Sequence, residues 1–178
     1  MRPAQALALS LSLLAIPTLH AADRTYKVNL KNAAGQDTGN VTFKQDKDGV
    51  AVKIYLRNLP VGQHAVHIHA TPKCEGPGFT TAGGHFNPDD KKHGFQNPMG
   101  HHDGDLPENV SVNEGPIGVG NRGSASFTLN YISLDPKAPN SITANGGVSV
   151  VVHEKADDMA TDPTGNAGNR LACGVLVP

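Results

Sequence analysis

Hydrophobic and polar residues alternate with a period of two along most of the chain beyond its first 22 residues. Tyr26, Val28 and Leu30 share one parity, and Val50, Val52, Ile54 and Leu56 form a longer run of the same kind. Phe127 and Leu129, then "GGVSVVVH" and "CGVLV", continue the pattern. Such alternation puts successive side chains on opposite faces of a strand. Turn-forming stretches ("KNAAGQD", "KQDKDG", "NLPVG") separate the runs. No sustained 3.6-residue stripe appears outside the N-terminal segment. The pattern predicts an all-β, antiparallel sandwich or barrel. With no tryptophan and only 4% aromatics, its core must rest on Val, Ile, Leu and Ala, and 20 glycines with 13 prolines fit a turn-rich chain.

The first 22 residues, "MRPAQALALSLSLLAIPTLHAA", have another character. Arg2 precedes an apolar run from Ala6 to Ile16, and the small residues Ala21 and Ala22 follow. This is the pattern of a secretory signal peptide, although Leu19 or His20 occupies a position where a small residue is preferred. The run is shorter than the ~20 residues of a membrane span, and no Cys follows it to carry a lipid. The expectation is a leader over 1–22, one domain over 23–178, no stable membrane anchor, and a periplasmic or extracellular location. The full chain carries 15 Lys+Arg and 16 Asp+Glu; losing the leader loses Arg2 alone and leaves a net charge of about −2. That argues against a nucleic-acid partner. The two cysteines, Cys74 and Cys173, are expected to form one disulfide in an oxidising compartment, closing a loop of about 100 residues.

Two stretches break the alternation: residues 70 to about 121, rich in Gly, Pro, Asn, Asp and His, and residues 154–171. A structureless loop of about 50 residues needs a function or a fastener. Eight histidines lie outside the leader: His64, His67, His69, His85, His93, His101, His102 and His153. Most sit in or beside the long loop, and such clustering is a metal signal. In "HAVHIH", strand alternation puts His67 and His69 side by side on the face away from the core. His64 shares the face of Val66 and Ile68 and is expected to be a buried or rim histidine satisfied by backbone groups. His153 closes "SVVVH" and could converge on the pair. Imidazole suits copper and zinc alike. The loop adds His85, His93, His101, His102 and Asp105; three imidazoles and a carboxylate make a closed site typical of zinc, whose binding would also order the loop.

The segments "VHIHA", "TAGGHFNP", "KKHG", "GHHDGDLPENV", "VVHEKADD" and "GNAGNRLACGV" resemble, in the same order, the copper/zinc superoxide dismutase family. The likeness runs from about residue 60 to the end, and the N-terminal strands fit loosely. It implies an eight-stranded antiparallel Greek-key β-barrel with two long functional loops. It implies one copper held by His67, His69, His85 and His153, and one zinc held by His85, His93, His102 and Asp105, with His85 bridging the two. In the family the last zinc histidine lies three residues before the Asp, which selects His102 and leaves His101 a solvated spare. Asp157 matches a carboxylate that links the two sites, Arg170 an arginine beside the copper, His64 a structural histidine, and Cys74 and Cys173 the family disulfide. The implied activity is dismutation of superoxide to dioxygen and hydrogen peroxide at a redox-cycling copper. Zinc has no redox chemistry and would hold His85 and the loop. The chain departs from the pattern in two places. The stretch from His153 to Arg170 is short and acidic, with Lys155 against Glu154, Asp157, Asp158 and Asp162, which puts fast electrostatic steering in doubt. The ending "GVLVP" differs from the tail that helps form the animal dimer, so a homodimer is allowed but not implied. A non-enzymatic metal carrier on the same scaffold would be marked by a missing copper ligand or a missing Arg170, and neither is missing.

Overall fold

The computed structural model describes residues 24–178, so the leader expected over 1–22 lies outside the described residues. Nine antiparallel strands form one sheet: β1 Thr25–Asn32, β2 Asp37–Asp46, β3 Gly49–Arg57, β4 Gly62–His64, β5 Val66–His69, β6 Val110–Asn113, β7 Arg122–Leu129, β8 Val148–His153 and β9 Arg170–Leu176. The helical content of the described residues is one 3₁₀ turn, Thr80–Ala82. None of the described helices is long and apolar enough to cross a membrane.

The alternation in β1, β2 and β3 is realised as an inward apolar row and an outward polar one. Val28, Leu30, Val41, Phe43, Val50, Val52, Ile54 and Leu56 are all buried in one core with Val66, Ile68, Val150 and Val152. Each such side chain contributes about 1.5–3 kcal/mol by leaving water. Between them, Lys27, Lys53, Tyr55 and Arg57 point outward. Strand order across the sheet is β4-β6-β7-β3-β2-β1-β9-β8-β5. The neighbours β3–β7 and β1–β9 are not consecutive in the chain, so the long connections cross over the barrel ends.

The count is nine strands rather than the expected eight, and the reason lies in "HAVHIH". The segment Gly62–His69 is interrupted at Ala65. Its first part pairs with β6, as His64 with Val110, and its second with β8, as Val66 with Val152. These two short strands are the opposite edges of the sheet, so one chain segment nearly closes the barrel. Ala65 itself bonds the chain beyond β8: its N–H donates to the Lys155 carbonyl and its carbonyl accepts from the His153 N–H, both at 2.8 Å. β6 falls inside the stretch read as loop; four residues are too short for alternation to stand out against Gly and Pro. Cys74 and Cys173 form the expected disulfide and fasten the start of that loop to β9.

Candidate metal centre

The site is built on the outer face of β5. Ile68 faces the core while His67 and His69 face away from it. Cross-strand pairing sets His67 against Val151 and His69 against Ser149, and His153 ends β8 on the same outward parity. The long loop folds back over this face through backbone bonds. Phe86 N–H donates to Ile68 O, Ile68 N–H to Gly104 O and Gly104 N–H to Phe86 O, at 2.7–2.8 Å. A bridge between His69 and His85 completes the placement. All four imidazoles end up buried.

One nitrogen from each of His67, His69, His85 and His153 lies within 4.8 Å of the others. His67 Nδ1, His69 Nε2, His85 Nε2 and His153 Nε2 are buried and have no hydrogen-bond partner among the described residues. Leaving a buried polar atom unpaired costs about 1–3 kcal/mol. The opposite ring nitrogens explain which atom is exposed to the cluster. His69 Nδ1 is 2.9 Å from the Gly83 carbonyl and His153 Nδ1 is 3.4 Å from the Gly168 carbonyl. A carbonyl only accepts, so each Nδ1 carries the hydrogen and each Nε2 the lone pair. His67 is the reverse, because its Nε2 donates to Asp157 Oδ2 at 2.7 Å. The free nitrogens of all four rings thus share one cluster, within 4.8 Å of one another. Burial holds His153 down to about 3 and His85 to about 4, the latter against the pull of Asp105, and holds His69 well below the ordinary value. These rings stay neutral at neutral pH, as metal ligands must.

The second cluster shares His85. Its Nδ1 lies 2.8 Å from Asp105 Oδ1, which is also 3.0 Å from His93 Nδ1 and 3.3 Å from His102 Nδ1. His85 Nδ1 and His102 Nδ1 are 3.3 Å apart. Zinc bonds of about 2.0–2.1 Å at tetrahedral angles separate ligand atoms by about 3.3 Å, so the four residues fit zinc. The other carboxylate oxygen of Asp105 accepts from the backbone N–H of Gly94 and His102, which turns Oδ1 inward. Asp105 is held well below the usual carboxylate range: burial works against this, but bonds from His102, His85, His93 and Gly94 outweigh it.

Asp157 joins the clusters, with Oδ2 on His67 and Oδ1 2.9 Å from His93 Nε2. Burial alone would lower His93, yet Asp105 and Asp157 on either side raise it to about 9. Gly165 must lack a side chain, because a Cβ there would strike the Asp157 carboxylate and approach His93 Nε2 to 2.6 Å. Arg170 is half-buried beside the cluster, close enough for its charge to disfavour protonation of His69 and His153. Its Nη1 and Nη2 donate to the carbonyls of Phe79 and Gly83 at 2.7 Å. It lines an open cleft of about 490 Å³ with Thr80, Gly168 and Asn169. Burial lowers its pKa, but a guanidinium keeps its charge.

Every residue predicted for the site is gathered here, and the structure adds three. Gly83 O accepts from both His69 and Arg170, tying ligand to mouth. Asn109 clamps the Asp157 backbone in both directions, accepting its N–H at 2.7 Å and donating to its carbonyl at 3.0 Å. Tyr131 donates to the Asp105 carbonyl at 2.9 Å. A backbone carbonyl has no sequence signature, and Asn109 lay inside "DLPENV" with nothing to single it out. His64 is buried as expected, with the carbonyls of His153 and Pro60 at 2.8 and 2.9 Å from its ring nitrogens. His101 corrects the expectation of a solvated spare. It is half-buried, stacked on Phe95 with ring centroids 4.0 Å apart.

Comparison with known proteins agrees with this geometry. Residues 37–176 match the family described as copper/zinc superoxide dismutase. The chain is 39% identical over 150 residues to Superoxide dismutase [Cu-Zn] 1 of Aquifex aeolicus, covering 83% of this chain and 85% of that one. It is 37% identical over 167 residues to Superoxide dismutase [Cu-Zn] 2 of the same organism, covering 93% and 94%. Among solved structures, a SOD-like protein from Bacillus subtilis superposes with a TM-score of 0.76 at 37% identity, over 85% of this chain and 97% of that one. Cu/Zn superoxide dismutase from Brucella abortus gives 0.63 at 27% identity, over 85% and 99%. The chain therefore belongs to the copper/zinc superoxide dismutase family, oxidoreductases that dismute superoxide with copper and zinc as cofactors.

Proposed function

We propose that this chain dismutes superoxide at a copper held by His67 Nδ1 and by the Nε2 atoms of His69, His85 and His153. In this reading a zinc is held by the Nδ1 atoms of His85, His93 and His102 and by Asp105 Oδ1. The observation that carries it is the set of four buried, partnerless imidazole nitrogens converging within 4.8 Å. Copper, when bound, supplies the one-electron couple by which two superoxide ions and two protons become dioxygen and hydrogen peroxide. The remaining work belongs to the chain. Arg170, its plane pinned by the carbonyls of Phe79 and Gly83, keeps further N–H donors and a fixed charge for a small anion at the mouth. Burial of the imidazoles keeps bulk water from their lone pairs. The His85 Nε2 lone pair can hold copper or a proton but not both, so this atom would take up a proton where it lets go of copper between the half-reactions and give it up on rebinding, with zinc at Nδ1 holding the ring beside Asp105. Asp157 keeps His67 and His93 in register, as carboxylate partners of ligating histidines do.

Export is part of the proposal. The leader pattern over 1–22, the Cys74–Cys173 disulfide and the bacterial relatives support a mature domain from residue 23 outside the cytoplasm. N-terminal sequencing of protein recovered from the periplasm or medium checks it; an intact Met1 would contradict it.

The site is tested by His153→Gln. Dismutation should fall to that of the copper-free protein, with zinc content and fold retained. Undiminished activity would remove His153 from the site.

A further inference from the structure

Each zinc-site residue other than the shared His85 has an aromatic ring attached to it from outside, and the three rings touch one another. Phe95 follows His93 by two residues, and Gly94 between them donates to Asp105. His101 immediately precedes His102, and its Nδ1 lies 2.8 Å from the His102 carbonyl. Tyr131, from the connection after β7, donates its hydroxyl to the Asp105 carbonyl at 2.9 Å. The His101 ring lies between the others: on Phe95 at 4.0 Å, with planes 22° apart, and edge-on to Tyr131 at 4.5 Å. Phe95 and Tyr131 are themselves 6.0 Å apart. Offset-stacked and edge-to-face rings attract one another beyond the area they bury. Yet Phe95 is 38% exposed, so the cluster is a surface bracket rather than core.

We infer that Phe95, His101 and Tyr131 form an aromatic bracket that holds His93, His102 and Asp105 in their ligating positions and sets the rate at which zinc leaves. The inference rests on the zinc assignment above. The mechanism is geometric. The loop joining these ligands has little regular structure, since the described elements between β5 and β6 amount to one 3₁₀ turn. Zinc escape requires two or more ligands to swing away together. Phe95 sits on the chain of one ligand, His101 on that of the next, and Tyr131 anchors the third to the barrel wall. Displacing any one ligand then breaks a ring contact or the Tyr131 hydrogen bond. His101 is thus a positioning residue and needs no imidazole nitrogen at the metal.

The experiment is zinc release from copper- and zinc-loaded protein into excess chromogenic chelator, with copper retention followed in parallel. His101→Ala should release zinc about 10- to 100-fold faster, the scale of lost support around metal ligands, while copper release is unchanged. His101→Phe, which keeps a ring and loses both nitrogens, should restore most of the slow release. Tyr131→Phe, a milder change, should accelerate release in the same direction. Unchanged release in His101→Ala, or no recovery in His101→Phe, would overturn the bracket. His102→Ala separates this from the zinc assignment. If His102→Ala binds no zinc while His101→Ala releases it at the normal rate, only the bracket fails. If His102→Ala binds zinc normally, the assignment beneath it fails.

Discussion

Single atoms decide the chemistry here, and the choice of nitrogen on each histidine is the clearest case. Gly83 and Gly168 carbonyls take the Nδ1 hydrogens of His69 and His153, and Asp157 takes the Nε2 hydrogen of His67. Asp157→Asn should therefore weaken copper and zinc binding together, by about 10- to 100-fold each, measured by competition with a chelator; a loss confined to one metal would contradict its bridging role. The protonation state of the rings gives a second test, in the metal-free protein. His85 and His153 sit at about 4 and about 3, chiefly because burial disfavours their charged forms. Unfolding restores an ordinary value of about 6.5, so below that pH the unfolded chain binds more protons and stability falls as pH drops toward 3. His93 has the opposite sign. Held at about 9 by Asp105 and Asp157 against burial, its contribution is full below about 6.5 and is lost as pH rises through 9. Calorimetry of metal-free protein should give a maximum midpoint near pH 6.5. Zinc must also displace the His93 proton, so its affinity should rise about tenfold per pH unit up to about pH 9; a flat profile would contradict the assignment of His93 as a ligand. The clustered histidines were legible in the sequence because imidazole crowds into and beside one long loop, whereas Asp157 and the choice of His102 over His101 rested on the family resemblance, since a carboxylate is ordinary in a loop. Gly83 was not, because its part is played by a backbone oxygen that any residue carries.

At the level of elements, strand alternation sets the face that each histidine of β4 and β5 takes. His67 and His69 are on one face of β5, and His64 faces the core with Val66 and Ile68. What alternation could not tell is that Ala65 divides the segment between two edges of the sheet, since both halves keep the same parity. The loops that carry His85, His93, His102 and Asp157 have no period at all. They are placed by fasteners: the backbone bonds among Phe86, Ile68 and Gly104, the Asn109 clamp on Asp157, and the Cys74–Cys173 disulfide. Reducing that disulfide, which spans 99 positions, should cost about 4–5 kcal/mol in the chain-entropy account. Denaturant titration with and without reductant measures it, and a cost under about 1 kcal/mol would mean that the other fasteners suffice.

On the scale of the whole molecule, exposed charges of both signs are interspersed on barrel and loops. Lys27, Lys53 and Arg57 share the outward face of the sheet with Asp37 and Asp46, while Lys73, Lys92 and Lys155 stand among Asp89, Asp90, Glu108, Glu154, Asp158 and Asp162 on the loops. The cations beside the cleft are Arg170 and Lys155, whose side chain lies near Gly168, and Glu154, bonded to the adjacent Asn169, opposes them. Glu154→Gln keeps an acceptor for Asn169 and should raise the dismutation rate at low ionic strength, with the gain vanishing by about 1 M salt, where screening acts within about 3 Å. The composition foretold a weakly negative chain but not the charges gathered at the cleft, which depend on how the loops fold. In the proposed centre one constellation of histidines makes one copper site joined through His85 to one zinc site. Titrating Cu(II) into zinc-loaded protein while following superoxide removal tests it most directly. Activity should rise linearly and break at one copper per chain, and the His153→Gln protein should show no such rise. Activity that never exceeds that of free copper, or that does not break at one equivalent, would contradict it.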